Sequence, residues 1–422
     1  MAKHTPVVKS EQDEMAAASV GRKAGDVTTR DVLMIAPTMF FADYGSHVRI
    51  LEEAISLRAL GHDLRILAYP NGNDIEGLHV RRCPGVPFNY RIIVGSSRHR
   101  IYLDGMLGLT ALHEVAVRPS ELIHAHLHEG ALIGSLLGTL RRCPLLFDFQ
   151  GSLTAEMLDH GFLRPGGKRL RFWRAVESVI ARLPSAIITS STHAADLLMR
   201  DFGINSERLF PVLDSVNTET FRARTADDAA ELTELRRALG IPVGRTLVVY
   251  LGLLAEHQGT GLLLEAAAQL LAARDDLHFL IMGFPNEERY LQMARDLGIG
   301  DHTTFTGRLP YEQAARHLRL GDVAVAPKLS TTEGCGKLLN YMAVGLPTVA
   351  FDTPISREYL EHWGSYAEKM TAGSFAAALR ELLESRHEWS AIGNALRARA
   401  RSRFSWEEAG HRISEVYDLI MR

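Results

Sequence analysis

The stretch STTEGCGKLLNYMAVGLPTVAF, residues 330–351, reads as a helix followed directly by a strand. KLLNYMAVG has the apolar spacing of a helix, and TVAF is a short β-rich run. Gly334 and Gly336 stand at the predicted helix start, and Lys337 falls in its first turn, where the helix dipole disfavours a cation. Unpaired N–H groups at a helix start bind phosphate, and glycines let the phosphate approach. The stretch therefore predicts a phosphate site.

A plainer interpretation of the same residues is a turn with a solvated lysine, closed by a capping box between Ser330 and Glu333. A nucleoside-triphosphate P-loop does not fit the sequence. The four residues between its glycines are missing, and Leu338 stands where a magnesium-binding hydroxyl is needed.

Short apolar runs alternate with helical patterns on both sides of this stretch, and the alternation starts twice. It begins at DVLMIAP (31–37) and begins again at TLVVYLG (246–252). Such alternation predicts an α/β fold of two doubly wound, Rossmann-like parallel-sheet domains that face each other across a cleft. We expect a disordered tail over 1–29, a first domain over 30–216, a second over 217–404, and a C-terminal helix over 405–422 that returns to the first domain.

Composition excludes several classes of protein. The net charge of -3 argues against a broad nucleic-acid-binding surface. The three cysteines, Cys83, Cys143 and Cys335, have neither metal-site nor redox spacing, which favours a reducing compartment. No apolar run approaches a membrane span, and the first residues lack the apolar core of a secretory signal. We expect a cytoplasmic protein that can also contact the inner membrane surface.

Two further segments of the first half carry candidate ligand contacts. In PTMFFADYGSHV (37–48), Gly45 and Ser46 precede a helix and are candidates for phosphate or sugar binding, although ordinary turn geometry explains them equally well. In LIHAHLHEG, His124, His126 and His128 alternate along an extended segment. This spacing can bind a metal, but histidines that line a cleft or are satisfied in the core are the favoured interpretation.

A basic segment with interleaved aromatic residues, RPGGKRLRFWRAVESVI, lies between the predicted strands of the first half. Lys168, Arg169, Arg171 and Arg174 predict contact with an anionic membrane surface or a lipid-linked acceptor. A solvated helix face is the competing and more common explanation of such a segment. YRIIVGSSRHR (90–100) would extend the same basic surface.

From residue 31 onward the chain resembles the retaining glycosyltransferases of family 4, which have the GT-B fold. The resemblance rests on LDSVNTETF at the domain junction, YLGLLAEHQGTGLLLEAA, TFTGRLP, DVAVAP and EGCGKLLNYMAVGLPTVAFDTP, in that order and spacing. It implies a nucleotide-diphosphate sugar bound by the second domain and an acceptor on the first. It also implies transfer of a sugar, a hexose in the simplest case, with retention of configuration and without a metal or other cofactor.

The resemblance carries over to individual residues only in part. Glu333 matches the first glutamate of the family's paired motif, while Asn340 stands at the second. The two cations that usually stabilise the leaving diphosphate are replaced by Leu253 and Gln258, and a histidine near the donor sugar is replaced by Gln150. Because lost cations must be replaced at a developing charge, Lys337 and Lys328 are the candidates for that role.

The predicted site therefore has three parts. Its catalytic residues are Glu333, Lys337, Lys328 and Gln150. Its donor-binding residues are Gly45, Ser46, Gly252, Gln258, Gly283, Arg308, Leu309, Gly334, Cys335, Gly336, Leu338 and Asn340. Its acceptor residues are His126 and Asp148, and it holds no metal.

The missing family residues leave two alternatives open. One is a catalytically silent protein that binds a nucleotide-sugar, and the other is a nucleotide-sugar epimerase of the same fold. The acceptor, whether a glycan, a lipid-linked sugar or a small molecule, is not specified by the sequence. Neither are the base, the sugar and the oligomeric state.

Overall fold

The fold is described from a computed structural model that covers residues 27–41, 46–85, 98–159, 162–330 and 334–422, with backbone only for 98–100 and 159. Most of the predicted tail, Gly45, Glu333 and most of YRIIVGSSRHR lie outside these residues. The predictions on them stay predictions.

The first half of the chain forms a seven-stranded parallel sheet in the order β3-β2-β1-β4-β5-β6-β7. Its strands are β1 Asp31–Ala36, β2 Asp63–Ala68, β3 His79–Arg82, β4 Leu122–His126, β5 Leu145–Phe149, β6 Ala186–Thr189 and β7 Leu209–Pro211. Strands β4, β5 and β6 are buried along their whole length, as expected for a parallel sheet covered on both faces.

In the described part of the first half, six helices cover this sheet. They are α1 Ser46–Ala59, α2 Arg98–Val117, α3 Leu127–Arg141, α4 Leu153–Asp159, α5 Lys168–Arg182 and α6 Thr192–Phe202. Sequence signals mark the ends of α6 clearly: Ser191 accepts the N–H of Ala194 at its start, and Gly203, at φ 64°, ends it in the left-handed region.

The second half forms a six-stranded parallel sheet in the order β10-β9-β8-β11-β12-β13. Its strands are β8 Thr246–Leu251, β9 Leu277–Met282, β10 Thr303–Gly307, β11 Val323–Ala326, β12 Thr348–Phe351 and β13 Ser365–Ala367. Its helices are α7 Ala229–Ala238, α8 Thr260–Leu271, α9 Glu287–Asp296, α10 Tyr311–Leu318, α11 Gly336–Val344, α12 Pro354–Leu360, α13 Ala372–Glu384 and α14 Trp389–Arg403. The two sheets confirm the predicted doubly wound α/β fold.

The last helix, α15 Trp406–Ile420, returns to the first half and packs on α1. Trp406, Ile413 and Tyr417 of α15 are buried in the same cluster as Ile50 and Leu57 of α1. The chain crosses between the halves twice, and the crossings lie side by side, since the N–H of Val216 donates to the carbonyl of Phe404 at 2.7 Å. The predicted return of the C-terminal helix is confirmed.

Among the described residues, no helix combines the length and the apolar character that crossing a bilayer requires.

Candidate functional site

The strand order of each sheet reverses at its centre, between β1 and β4 and between β8 and β11. Ligands of such sheets bind at the carboxyl ends of the strands beside this point. In the second half, Gly252 directly follows β8, and Lys328 lies two residues beyond β11. The helix α11 begins close to both, so residues 334–344 of the predicted phosphate site lie at the expected edge of the sheet.

Lys337, in the first turn of α11, extends toward the end of β8. Its Nζ donates to Oε1 of Gln258 at 3.0 Å and to the hydroxyl of Tyr250 at 3.3 Å, and it lies 4.4 Å from the centre of the Tyr250 ring. A Cβ on Gly252 would stand 2.6 Å from this Nζ, so a larger residue there would require the lysine side chain to shift. Lys337 thus occupies the space between Gly252 and Gln258.

The surroundings of Lys337 weaken its charge. Its pKa is lowered from 10.5 to about 8, chiefly by burial; Cys335 acts in the opposite direction, and the neighbouring charge of Lys328 adds to the lowering. Within the described part of the chain its Nζ donates to Tyr250 and Gln258 and pairs with no carboxylate. A lysine held this way gains stability when an anion arrives, because the anion restores the ordinary pKa.

The rest of α11 fixes this lysine in place. Tyr341 is one helical turn further on and fully buried. Its hydroxyl accepts the N–H of Leu251 at 2.8 Å and donates to the carbonyl of Val325 at 3.2 Å. The helix is therefore tied to the ends of both β8 and β11. At its start, Cys335 provides no side-chain cap, and the N–H of Leu338 donates to the carbonyl of Cys335. The N–H groups of Gly336 and Lys337 are therefore the ones that can face a ligand.

Lys328 and Gly334 bring the two halves of the chain together. Nζ of Lys328, which is 9% exposed, donates to the carbonyl of Gly334 at 2.7 Å. A Cβ on Gly334 would overlap Oδ2 of Asp214, a residue of the first half. Tyr359 approaches the same Oδ2 with its hydroxyl at 3.4 Å. Asp214 is thus a first-half residue that lies against Gly334 of the predicted donor loop.

Beneath Asp214 lies a buried ionic network centred on Arg49 of α1. The guanidinium group binds Glu53, Asp148 and Asp214, each at 2.9 Å. Although burial acts to raise it, Arg49 and His126 hold the pKa of Asp148 well below its usual range. Burial raises the pKa of Glu53 well above its usual range, and the neighbouring Asp148 adds to that effect. Arg49 therefore stands among carboxylates that could not all ionise without it.

His126 and Asp148, the predicted acceptor residues, belong to this network and are fully buried. Nδ1 of His126 lies 3.0 Å from Oδ2 of Asp148, and Nε2 of Gln150 donates to the same oxygen at 2.6 Å. Gln150 is half-buried and covers Asp148 from the outside. In this conformation the pair supports Gln150 and Arg49, and direct contact with an acceptor stays a prediction.

The three alternating histidines do not share one face, contrary to the sequence-based expectation. His128 lies in α3 rather than in the strand and has its Nε2 3.4 Å from Glu177. His124 and His126 stack at 4.5 Å, and with Glu53 they bring three ligand-type atoms within 4.8 Å of one another. Arg49 already binds that glutamate at 2.9 Å, and the raised pKa of Glu53 disfavours the ionised carboxylate that a metal ligand requires.

Most remaining donor-binding candidates line the same edge. Arg308 is exposed and stacks over Phe284 at 5.0 Å, beside Gly283. Leu309 packs on the core of the second half.

Leu338 does not face a donor, because its side chain is fully buried and its N–H donates to the carbonyl of Cys335. Cys335 is buried, while Gly336 is exposed with open space around it. Asn340 is half-buried in α11, and Ser46 begins α1.

Hydrogen bonds also join the halves away from the donor edge, two of them among the described residues being of note. Glu358 of α12 accepts the N–H and the hydroxyl of Thr192 at 3.0 and 2.7 Å, and thereby caps α6 from the other half. The hydroxyl of Tyr311 donates to Glu52 of α1 at 3.3 Å. Burial raises the pKa of Glu52 to about 7, against the opposing effect of the hydrogen bonds from Tyr311 and Asn217.

Sequence reasoning missed Arg49, Glu53 and Asp214. A signal existed for the first two: Arg49 and Glu53 are one helical turn apart in a helix whose apolar residues occupy nearly every other position. Charged residues at such spacing in an otherwise buried helix indicate a paired interior. No local signal marks Asp214, because its partners come from distant parts of the chain.

Comparison with known proteins identifies the architecture. Residues 44–213 match the family model described as glycosyl transferase 4-like domain, and residues 232–401 match glycosyl transferases group 1. D-inositol 3-phosphate glycosyltransferase 1 of Catenulispora acidiphila is 26% identical over 93% of this chain and 91% of its own length. Phosphatidyl-myo-inositol mannosyltransferase of Mycobacterium leprae is 25% identical over 92% of this chain and 96% of its own.

Solved structures share the fold at low sequence identity. Sucrose-phosphate synthase from Thermosynechococcus elongatus superposes with a TM-score of 0.78 at 18% identity, over 93% of this chain and 99% of that one. Anabaena HepE, solved in complex with UDP and glucose, superposes with a TM-score of 0.73 at 15% identity, over 92% and 100%. With one glycosyltransferase domain matched on each sheet, in that order, the chain belongs to the glycosyltransferases, as a two-domain GT-B enzyme of the family 4 type.

Proposed function

We propose that this enzyme transfers a sugar, a hexose in the simplest case, from a nucleotide-diphosphate sugar to a hydroxyl acceptor. The proposal includes retention of anomeric configuration and independence of metal ions and other cofactors. The observation that carries it is the position of Lys337, a pKa-lowered cation without a carboxylate partner in the described residues, beside Gly252 and Gln258. These are the positions around which the family usually places its diphosphate-binding cations.

The donor diphosphate would lie between the start of α11 and the end of β8. The N–H groups of the first helical turn and the ammonium group of Lys337 would bind its oxygens, and Lys328 would add charge at the cleft side. Glu333, next to Gly334 in sequence, would orient hydroxyls of the donor sugar. Solved relatives of this fold support a nucleotide-sugar donor, since HepE is described in complexes with UDP and with UDP-glucose.

The chemical step follows from a leaving group held on one face of the sugar. The acceptor oxygen forms a bond to the anomeric carbon on the face from which the diphosphate departs, and the bond from that carbon to the phosphate oxygen breaks. The acceptor proton passes to the departing phosphate. No second carboxylate of glycosidase type is required, which agrees with the pairing of Asp148 and Asp214 to Arg49.

The proposed acceptor is a compound with a free hydroxyl group. The curated relatives named above are inositol phosphate and phosphatidylinositol enzymes, which makes a polyol or a lipid-linked polyol the first acceptor to test. It would enter from the first half, near Gln150 and Asp214.

A thermal-shift panel of nucleoside diphosphates and their sugars identifies the donor, because the true donor should stabilise the chain most. Transfer is then measured with that donor in the Lys337→Ala, Lys328→Ala and Glu333→Ala variants, with the exposed Lys369→Ala as the matched control. We expect losses of about a hundredfold at Lys337, as for removal of one donor to a developing anion. Unchanged turnover in both lysine variants would show the proposed role of these cations to be wrong. Retention predicts an α-configured product from an α-configured donor. Metal independence predicts the same rate of transfer with and without EDTA.

A further inference from the structure

The outer side of helices α2, α3 and α5 exposes an unusual number of large apolar side chains. Leu109, Leu136, Leu140, Phe172 and Val179 are each between 56% and 68% exposed. The three helices lie side by side, since α3 contacts α2 on one flank and α5 on the other. We call the surface made by these five side chains the apolar face.

The sequence pattern of α5 shows that this exposure is systematic. Phe172, Ala175 and Val179 recur at helical spacing on the exposed side, while Glu177 and Ile180 are buried on the other. A helix that covers a sheet ordinarily turns polar residues outward. Here an apolar stripe runs along a side that no described part of the chain covers. Contiguous apolar patches of this kind on a protein surface indicate a contact with a partner or a membrane.

Cations lie at both ends of the apolar face. Lys168, Arg169 and Arg171 are exposed at the start of α5, and Arg141 and Arg142 are exposed at the end of α3. The acidic side chains carried by α2, α3 and α5 are all buried or half-buried. The surface is therefore apolar at its centre and positive at its rim.

Arg174, which the sequence analysis assigned to the same basic surface, does not belong to it. Its guanidinium group pairs with Asp201 at 3.0 Å and lies 6.0 Å from the centre of the Phe202 ring. These contacts turn it toward α6, away from the apolar stripe.

We propose that the apolar face docks on the surface of an anionic lipid bilayer, with its apolar side chains among the acyl chains and its rim cations at the phosphates. An apolar stripe bordered by lysine and arginine is the composition of interfacial helices. A second copy of this chain fits less well, because a two-fold contact would place one positive rim against the other. The inference stands on the first half of the chain and holds whatever sugar the enzyme transfers.

Co-sedimentation of the full chain with vesicles tests this proposal. The vesicles contain phosphatidylcholine alone or phosphatidylcholine with phosphatidylglycerol. We expect binding to the anionic vesicles that weakens as salt is added. The combined variant Leu136→Ser/Phe172→Ser/Val179→Ser should bind them at least about tenfold more weakly, because it removes much of the apolar area that enters the bilayer. Lys168→Glu/Arg171→Glu should abolish the preference for anionic lipid.

Two control variants, Val243→Ser and Arg401→Glu, change exposed residues of the second half and should bind like the unaltered chain. Equal binding of the triple variant and the unaltered chain would overturn the proposal. So would a dimer, found by sedimentation velocity, that the triple variant dissociates while neither protein binds vesicles. If the unaltered chain binds the anionic vesicles but transfers no sugar, the proposed reaction is wrong and this inference stands.

Discussion

Nucleoside diphosphate binding should depend on pH through Lys337. The free enzyme holds this lysine at a pKa of about 8, lowered from 10.5 by burial. A bound diphosphate should return the pKa toward its ordinary value, and each unit of that return corresponds to about 1.4 kcal/mol of affinity. The full return would be about 3 kcal/mol, and partial exposure of the side chain to solvent reduces this to about 2 kcal/mol.

The sign and the range follow from the direction of the shift. Binding raises the pKa, so affinity is complete below pH 8 and is lost as the pH rises above it. Titration calorimetry should therefore show about tenfold weaker binding at pH 9 than at pH 7. The ligand is the nucleoside diphosphate that stabilises the chain most. Ionisation of the phosphates of this ligand also changes its affinity with pH, and the same measurement on Lys337→Met separates that effect. Lys337→Met should bind weakly and show only the pH dependence of the ligand, whereas Lys369→Met should behave like the unaltered enzyme.

Gln258 offers an independent change of the same charge. Gln258→Glu would place a carboxylate at the oxygen that now lies 3.0 Å from Nζ of Lys337. That ion pair should raise the pKa of the lysine and remove the pH dependence, while weakening diphosphate binding about tenfold because the cation is already neutralised. Gln258→Met should retain the pH dependence. A diphosphate affinity that falls equally with pH in Lys337→Met and the unaltered enzyme would refute the reasoning.

Three further outcomes are expected. Because the pKa of Glu52 is raised, the folded state holds its proton more firmly than the unfolded state does. The free energy of unfolding should therefore fall by about 2–3 kcal/mol as the pH rises from about 4.5 to about 7. In urea unfolding, Glu52→Gln should remove this part of the pH dependence. Arg49→Met should lower stability at neutral pH by about 3–5 kcal/mol, and less at pH 4, because it leaves buried carboxylates unpaired. Gly334→Ala should slow turnover about tenfold with little change in thermal midpoint, because a Cβ there meets Asp214 and prevents the halves from closing; Gly105→Ala, which has open space around it, is the control.

The fold could be predicted from the sequence because both domains repeat one local rule. The central strands are short, largely apolar runs, such as TLVVYL in β8, whereas the outer strands β3, HVRR, and β10, TTFTG, are not. Most helices end at a glycine or begin at a serine or threonine, as with Ser191 and Gly203 around α6. These signals lie within a few residues of one another. The start of α11 was predictable for the same reason, since glycines and a cation at a helix start are a local anomaly.

The interior of the first half was less predictable, because its order arises from contacts between distant residues. Asp214 is 165 residues from Arg49 in sequence, and Tyr417 is 293 residues from His124, with which it forms a 2.8 Å hydrogen bond. Single-sequence reasoning assigns His126 and Asp148 to a ligand because polar residues at strand ends usually face one. In the structure His126 pairs with Asp148, and Asp148 also pairs with Arg49, a partner that the sequence did not indicate. Contact of either residue with an acceptor stays a prediction.

The position of Lys337 differs in kind from that of the cations it would replace. Leu253 and Gln258 lie in the loop after β8, whereas Lys337 belongs to a helix that Tyr341 fastens to two strands of the sheet. A cation on a loop can move with the loop, but a cation on this helix is held against Gly252 before the donor arrives. Preorganised charge stabilises a developing anion without reorganisation during the reaction. The loss of two loop cations therefore need not abolish leaving-group stabilisation, provided that the helix start itself carries the charge.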